Sequence, residues 1–91
     1  MSEWLDEEQV ETVQVSVAWI MQRPTFALGV ADARAGRRYH RDYDQWSTNN
    51  QWSYERGRAW AVLTPRDVPL RRNGRLTTEA LLWFMRHDDI I

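Results

Sequence analysis

Apolar positions fall into four stretches, separated by segments that are polar or carry glycine and proline. In the first stretch, Val10, Val13, Val17, Ile20 and Met21 share one helical face. Val13, Val15, Val17, Trp19 and Met21 fit the two-residue repeat of a strand equally well. The β-branched content favours a strand, whereas the lack of a second strand to pair with favours a helix. Helix or strand therefore stays open for residues 10–21, with helix the expectation. Ahead of it, Ser2 stands before Glu3, Asp6, Glu7 and Glu8, the acidic first turn that a helix N-terminus prefers.

Pro24 breaks this stretch, and Thr25 stands where it can cap a second helix over 26–35. Gly36 follows at the position of a left-handed C′ residue. Residues 37–47 (RRYHRDYDQWS) read as a polar, aromatic-rich loop. Thr48 and Gln51 have capping-box spacing and open a third helix to about Leu63, stopped by Thr64-Pro65. Residues 65–76 hold Pro65, Pro69 and the Asn73-Gly74 turn signal, which predicts a connection rather than a core element. Thr77 caps a last helix to about His87, with Leu76 and Leu81 at hydrophobic-staple positions. The pattern predicts a mostly α, compact single domain over 1–91, built from about four helices.

Two stripes lack bulk. Gly29, Ala33 and Gly36 lie at i, i+4 and i+7 of the second helix, and Tyr54, Gly57 and Ala61 form a comparable stripe on the third. Glycine inside a helix costs up to about 1 kcal/mol relative to alanine, so interior glycines need a reason. A close crossing of the two helices, flanked by Phe26 and Tyr54, supplies one.

The residues Gly29-Val-Ala-Asp-Ala-Arg-Ala-Gly36-Arg37, a polar loop, then Tyr54-Glu-Arg-Gly57-Arg-Ala-Trp-Ala61 resemble the ribosome modulation factor family. The resemblance covers 29–61 and rests on Gly29, Gly36, Arg37, Tyr54, Gly57 and Ala61. It implies a helix–loop–helix frame and a non-catalytic protein that binds ribosomal RNA. The chain departs from that family in being neutral overall, in lacking lysine, and in adding an acidic segment before the match and thirty residues after it. Its layout is also similar in style to small helical proteins of phages and integrated elements, some of which inhibit host defences.

Composition changes the picture in four ways. The 91 residues suit one small domain with a thin core. Net charge is −1, unlike a general polyanion binder, but it is unevenly spread. Residues 1–22 carry −5, and residues 23–91 carry twelve arginines against eight acids, +4. All twelve basic residues are arginine, which suits bidentate contact with phosphate or carboxylate, as well as a GC-rich genome. Six tryptophans serve either as core filler or as interface anchors.

Candidate chemistry follows from these residues. Arg34, Arg37, Arg38 and Arg41, with Tyr39, His40, Tyr43 and Trp46, form an arginine and aromatic cluster suited to phosphates and unstacked bases. The bland alternative is a solvated loop whose arginines pair with Asp32, Asp42, Asp44 or the acidic N-terminal segment. Arg66, Arg71, Arg72 and Arg75 form a second basic group around the Asn73-Gly74 turn. In the last helix, Leu81, Leu82, Trp83, Phe84 and Met85 are apolar all round; one face must fill the core, and the remainder is either covered by the N-terminal segment or, at Trp83, Phe84 and Met85, an interface for a partner or a homodimer.

Enzyme signals are poor. No cysteine is present, so disulfides, thiolate metal sites and cysteine nucleophiles are excluded. His40 near Asp42 and Asp44, and His87 beside Asp88 and Asp89, lack the spacing of a known metal site. No nucleophile elbow or phosphate-cradling glycine loop occurs, and Glu55 reads as a surface ion-pair partner of Arg56 and Arg58. No apolar run reaches the length of a membrane span, and residues 1–10 are acidic where a signal peptide is basic. The expectation is a cytoplasmic, non-catalytic binding protein with no cofactor, metal, small-molecule substrate or membrane partner. RNA or a ribonucleoprotein is the first expected partner, and a host protein complex inhibited in the phage manner is the second.

Overall fold

A computed structural model describes residues 17–87; the Ser2 cap, the acidic turn, residues 10–16 and 88–91 lie outside the described residues. The first described element, α1 (17–22), is helical. Val17, Ile20 and Met21 are buried at i, i+3 and i+4, while Trp19 is 48% exposed. A strand would have put Trp19 on the same face as Val17 and Met21, so burial separates the two periodicities and the helix prevails here.

Only Arg23 separates α1 from α2 (Pro24–Arg34). Its backbone is extended (φ −69°, ψ 140°), its N–H donates to Ile20 O (3.1 Å), and its carbonyl accepts the Phe26 N–H (3.0 Å). Arg23 is thus the N-cap residue, with no side-chain cap, and Thr25 lies inside the first turn rather than capping it. Proline explains the shift. Its fixed φ is already helical, and its missing N–H is one that the first turn does not use. At the other end, Gly36 takes φ +72° and donates to Ala33 O (3.0 Å), while Arg37 N–H donates to Asp32 O (2.8 Å). That pair of bonds is a Schellman motif, which terminates α2 and turns the chain away.

Helix α3 (Thr48–Leu63) starts one residue earlier than its capping box predicts. Ser47, extended at φ −60° and ψ 157°, accepts the Asn50 N–H at 3.3 Å, so Thr48 is the first helical residue. Gln51 reaches back instead to the carbonyl of Tyr43 (2.9 Å). The 65–76 segment is more than a connection. It holds a two-stranded antiparallel hairpin, β1 (Arg71–Arg72) and β2 (Arg75–Leu76), in register Arg71↔Leu76. Its turn places both Asn73 (φ 54°) and Gly74 (φ 76°) at positive φ, as a two-residue hairpin loop requires. Val68, Leu70 and Leu76 pack against the core.

Thr77 caps α4 (Thr78–Arg86), accepting the Ala80 N–H (3.0 Å) and donating to Pro69 O (2.7 Å). Ala80 and Phe84 are buried and Leu82 and Met85 are exposed, so one face of this apolar run enters the core and another does not.

The result is mostly α, and the core lies where α1, α2, α3 and α4 converge. Phe26 stands between Trp60 and Phe84, with ring centroids 6.3 and 5.9 Å away, and the Trp60 indole N–H donates to Ala80 O (3.0 Å). Full burial of each such ring contributes about 1.5–3 kcal/mol. Helices α2 and α3 run antiparallel with their backbones almost touching. A Cβ on Gly57 would enter the Phe26 carbonyl, and one on Gly29 would collide with the Tyr54 carbonyl and stand 3.1 Å from Arg58 N. Ala61 is buried and Ala33 packs on the same core. Gly36 takes no part in the crossing, because a Cβ there would meet nothing within 4 Å. Among the described residues, no helix is long and apolar enough to cross a membrane.

Candidate nucleic-acid interface

The Schellman turn at Gly36 feeds directly into loop 37–47, which joins α2 to α3 and folds back onto Tyr54 and Arg58 of α3. A buried polar cluster holds the loop down. Asp32 is 3% exposed, a costly place for a carboxylate without donors. Tyr54, fully buried, donates its hydroxyl to Asp32 Oδ2 (2.6 Å), and Arg37 Nη1 donates to Asp32 Oδ1 (3.1 Å). The same Tyr54 oxygen accepts the His40 backbone N–H (2.9 Å) and Arg58 Nη1 (3.2 Å). Burial pushes the Asp32 carboxyl up, but the bonds from Tyr54 and Arg37 outweigh it, and the group titrates below its ordinary value. Tyr54 shifts upward, from burial first and then from its bond to the Asp32 carboxylate.

Arg58 completes the clasp. Its guanidinium donates to Arg37 O (2.6 Å) and Arg38 O (3.3 Å), and lies 4.8 Å from the Tyr39 ring centroid and 5.7 Å from that of Tyr54. The far side of the loop rests on a short 3₁₀ turn (Tyr43–Gln45). The Tyr43 hydroxyl donates to the Glu55 carboxylate, a bond that, with burial, pushes the phenol up to about 12. Trp46 meets the Tyr54 ring edge-on (5.2 Å, 72°) and lies beside His40 (5.0 Å, 32°). His40 Nδ1 accepts the Asp42 N–H at 3.1 Å.

This geometry divides the eight cluster residues. Arg34 is turned inward: it donates to Val68 O (3.0 Å), reaches Pro65 O (3.4 Å) and lies over the Trp60 ring (5.1 Å). It ties α2 to the 65–68 segment. Tyr43 and Trp46 are half-buried, bonded or packed onto α3, and belong to the support of the loop. Arg37 faces outward, with its side chain 66% exposed, but is already paired with Asp32. Arg38, Tyr39 and Arg41 are exposed. Among the described residues, no hydrogen bond or ion pair engages the guanidinium of Arg38 or of Arg41, and neither Asp42 nor Asp44 pairs with them.

The second basic group is split. Arg66 donates to Arg34 O (2.8 Å) at the C-terminal end of α2, whereas Arg71 donates to Gln22 O (2.9 Å) beside its N-terminal end. Eleven helical residues, about 16 Å, separate those ends, so Arg66 stands beside Arg34 of the first basic group and Arg71 stands at the far end of α2. Arg72 lies 3.6 Å from Glu79.

In α4, Phe84 is fully buried against Phe26 and so belongs to the core, not to an interface. Met85 is 38% exposed, and Trp83 is half-buried with Arg86 over its ring (4.9 Å) and His87 stacked at 22°. Among the described residues, no group of three metal-ligating side chains comes together. Glu55 pairs with Arg56 (3.6 Å) as well as Tyr43.

The sequence reading missed Asp32, Tyr54 and Arg58 as the residues that shape the loop. A signal existed: Asp32 lies one turn beyond Gly29, close to the face that approaches α3, so it had to find donors there. No protein-family model, no curated protein and no solved structure matches the chain.

Proposed function

We propose that this chain is a non-catalytic binding protein directed at RNA or a ribonucleoprotein, with loop 37–47 as its contact surface. The observation that carries the reading is the set Arg38, Tyr39 and Arg41. Two exposed guanidinium groups without a described anionic partner flank a half-exposed aromatic ring, on a loop fixed from beneath by Tyr54, Asp32 and Arg58. Phosphate oxygens suit the guanidinium fork, and a loop already ordered loses little entropy on binding. The resemblance to ribosome modulation factors over 29–61 points the same way, although its six residues chiefly set helix geometry and the loop's exit.

The test is affinity capture from a host-type lysate with and without RNase, followed by identification of RNA and protein. Recovery of ribosomal particles or a defined RNA, abolished by RNase and by Arg38→Ala/Arg41→Ala, is the expected outcome. A stoichiometric protein that survives both treatments overturns it.

A second reading rests on α4. Leu82 (58% exposed) and Met85 line a groove of about 500 Å³ with Glu79, Trp83 and Arg86. An apolar groove with a charged rim suits a protein partner, as an inhibitor of a host complex would need. In that case Leu82→Asp, not the loop variant, abolishes capture.

A further inference from the structure

RNA presents itself in two physical forms, and loop 37–47 does not suit them equally. In a duplex the bases are stacked and paired, so an aromatic side chain meets sugar edges and phosphates. In a single strand each base exposes a π-face that can be laid on a ring.

Tyr39, at 52% exposure, is the most exposed aromatic residue among those described. Its ring is held firmly, with Tyr43 at 5.0 Å and Tyr54 at 5.5 Å. Both contacts are close to perpendicular, at 79° and 71°. No described aromatic ring lies parallel to it. The neighbouring rings differ in this respect: His40 lies beside Trp46 at 32°, and His87 stacks on Trp83 at 22°. Arg58 lies over one face of the Tyr39 ring, 4.8 Å from its centroid, so a base has only the opposite face to take. Arg38 immediately precedes Tyr39, and Arg41 follows two residues later. His40 between them is turned to Trp46 and to the Asp42 N–H, so it does not compete for the same space.

We infer that the loop takes single-stranded RNA, with one unpaired base stacked on Tyr39 and the flanking phosphates on Arg38 and Arg41. This rests on the RNA reading above and narrows it from RNA in general to an unpaired segment. Arg58 is a positioning residue in this scheme. It holds the carbonyls of Arg37 and Arg38, and so fixes where the ring and the first guanidinium stand.

The test is fluorescence anisotropy with three labelled probes titrated with the full chain. They are a mixed-sequence single-stranded RNA about twelve nucleotides long, the same strand annealed to its complement, and the same backbone made abasic. The single strand is expected to bind tightest. Tyr39→Ala and Tyr39→Leu weaken its binding about tenfold, in line with the loss of one base–aromatic stack, whereas Tyr39→Phe stays within about twofold. On the abasic strand Tyr39→Ala has no effect. The salt slope is unchanged in Tyr39→Ala and falls by about 1.4 in Arg38→Ala/Arg41→Ala, as expected for two phosphates of a single strand.

Equal binding of duplex and single strand, with Tyr39→Ala indistinguishable from the wild type, overturns the inference and leaves the RNA reading standing. Absence of binding to every probe removes both. A loss in Tyr39→Ala that also appears in Tyr39→Phe assigns the effect to the hydroxyl and overturns the stacking role.

Discussion

Where α2 passes α3 at Gly29 and Gly57, the helices meet backbone to backbone, and the contact depends on atoms that are missing. One turn further along α2 the same two helices are joined through Asp32, Tyr54 and Arg58, a contact that depends on donors and acceptors being present. The first is steric and insensitive to pH or salt. The second contains titratable groups, borders the exposed loop and governs its shape. A steric crossing and a polar support for the loop are thus placed side by side on one helix pair but encoded in different chemistry, so they can be perturbed separately.

The largest effect is expected at the crossing. Gly57→Ala drives a methyl group into the Phe26 carbonyl, and neither backbone can yield without separating the helices. The cost is about 3 kcal/mol, read as a fall in Tm of roughly 15 °C. Gly36→Ala is the control: its strain comes only from φ +72°, and about 1 kcal/mol is expected. Equal losses in the two variants would show that the close approach is not what Gly57 serves.

The clasp comes next. Tyr54→Phe leaves the Asp32 carboxylate without one of its two donors and the His40 N–H without its acceptor, for a loss of about 2 kcal/mol. Hydrogen exchange separates it from the crossing variants, since the His40 amide should be deprotected first.

Titration gives two smaller effects of opposite sign. The Tyr43 phenol is raised in the folded state to about 12 from 10.0, so its contribution is complete below pH 10 and is lost as pH rises towards 12. Alkaline melts should show that loss in the wild type and not in Tyr43→Phe. Asp32 is shifted the other way. Its contribution is complete above its ordinary value of 3.8 and disappears as pH falls through the lower folded value. Acid melts of the wild type and Asp32→Asn should converge there.

Smallest of all is Arg38→Ala/Arg41→Ala, which touches neither contact and should leave stability within about 0.5 kcal/mol.

The sequence made some of this legible and hid the rest for physical reasons. Gly36 and Thr77 could be placed because each stands at an element end where its special property, positive φ or a capping hydroxyl, has no rival nearby. Ser47 and Thr48 could not be ranked: two adjacent hydroxyl residues cap equally well, and the extended backbone after the 3₁₀ turn makes the choice. Thr25 lost its role to Pro24 for a similar reason. The stripe residues Gly29 and Gly57 were readable because interior glycine is costly. Arg34 was indistinguishable from Arg37 and Arg38 because its acceptors at Pro65 and Val68 come from a segment some thirty residues away. Phe84 and Met85 differ by one residue, but only the docking of α4 decides which of them is inside.

Among the described residues, four of the twelve arginines donate to backbone carbonyls: Arg34 and Arg66 between α2 and the 65–68 segment, Arg58 under the loop, and Arg71 at the end of α1. Arg34 and Arg71 each reach two carbonyls from a single Nη2, whereas Arg58 spreads its two terminal nitrogens over two carbonyls, a span that a forked, planar head covers and a single ammonium point does not. A lysine in place of Arg58 would keep the formal charge at neutral pH yet lack the second nitrogen that holds the neighbouring carbonyl. The all-arginine composition is therefore partly a building material of the fold.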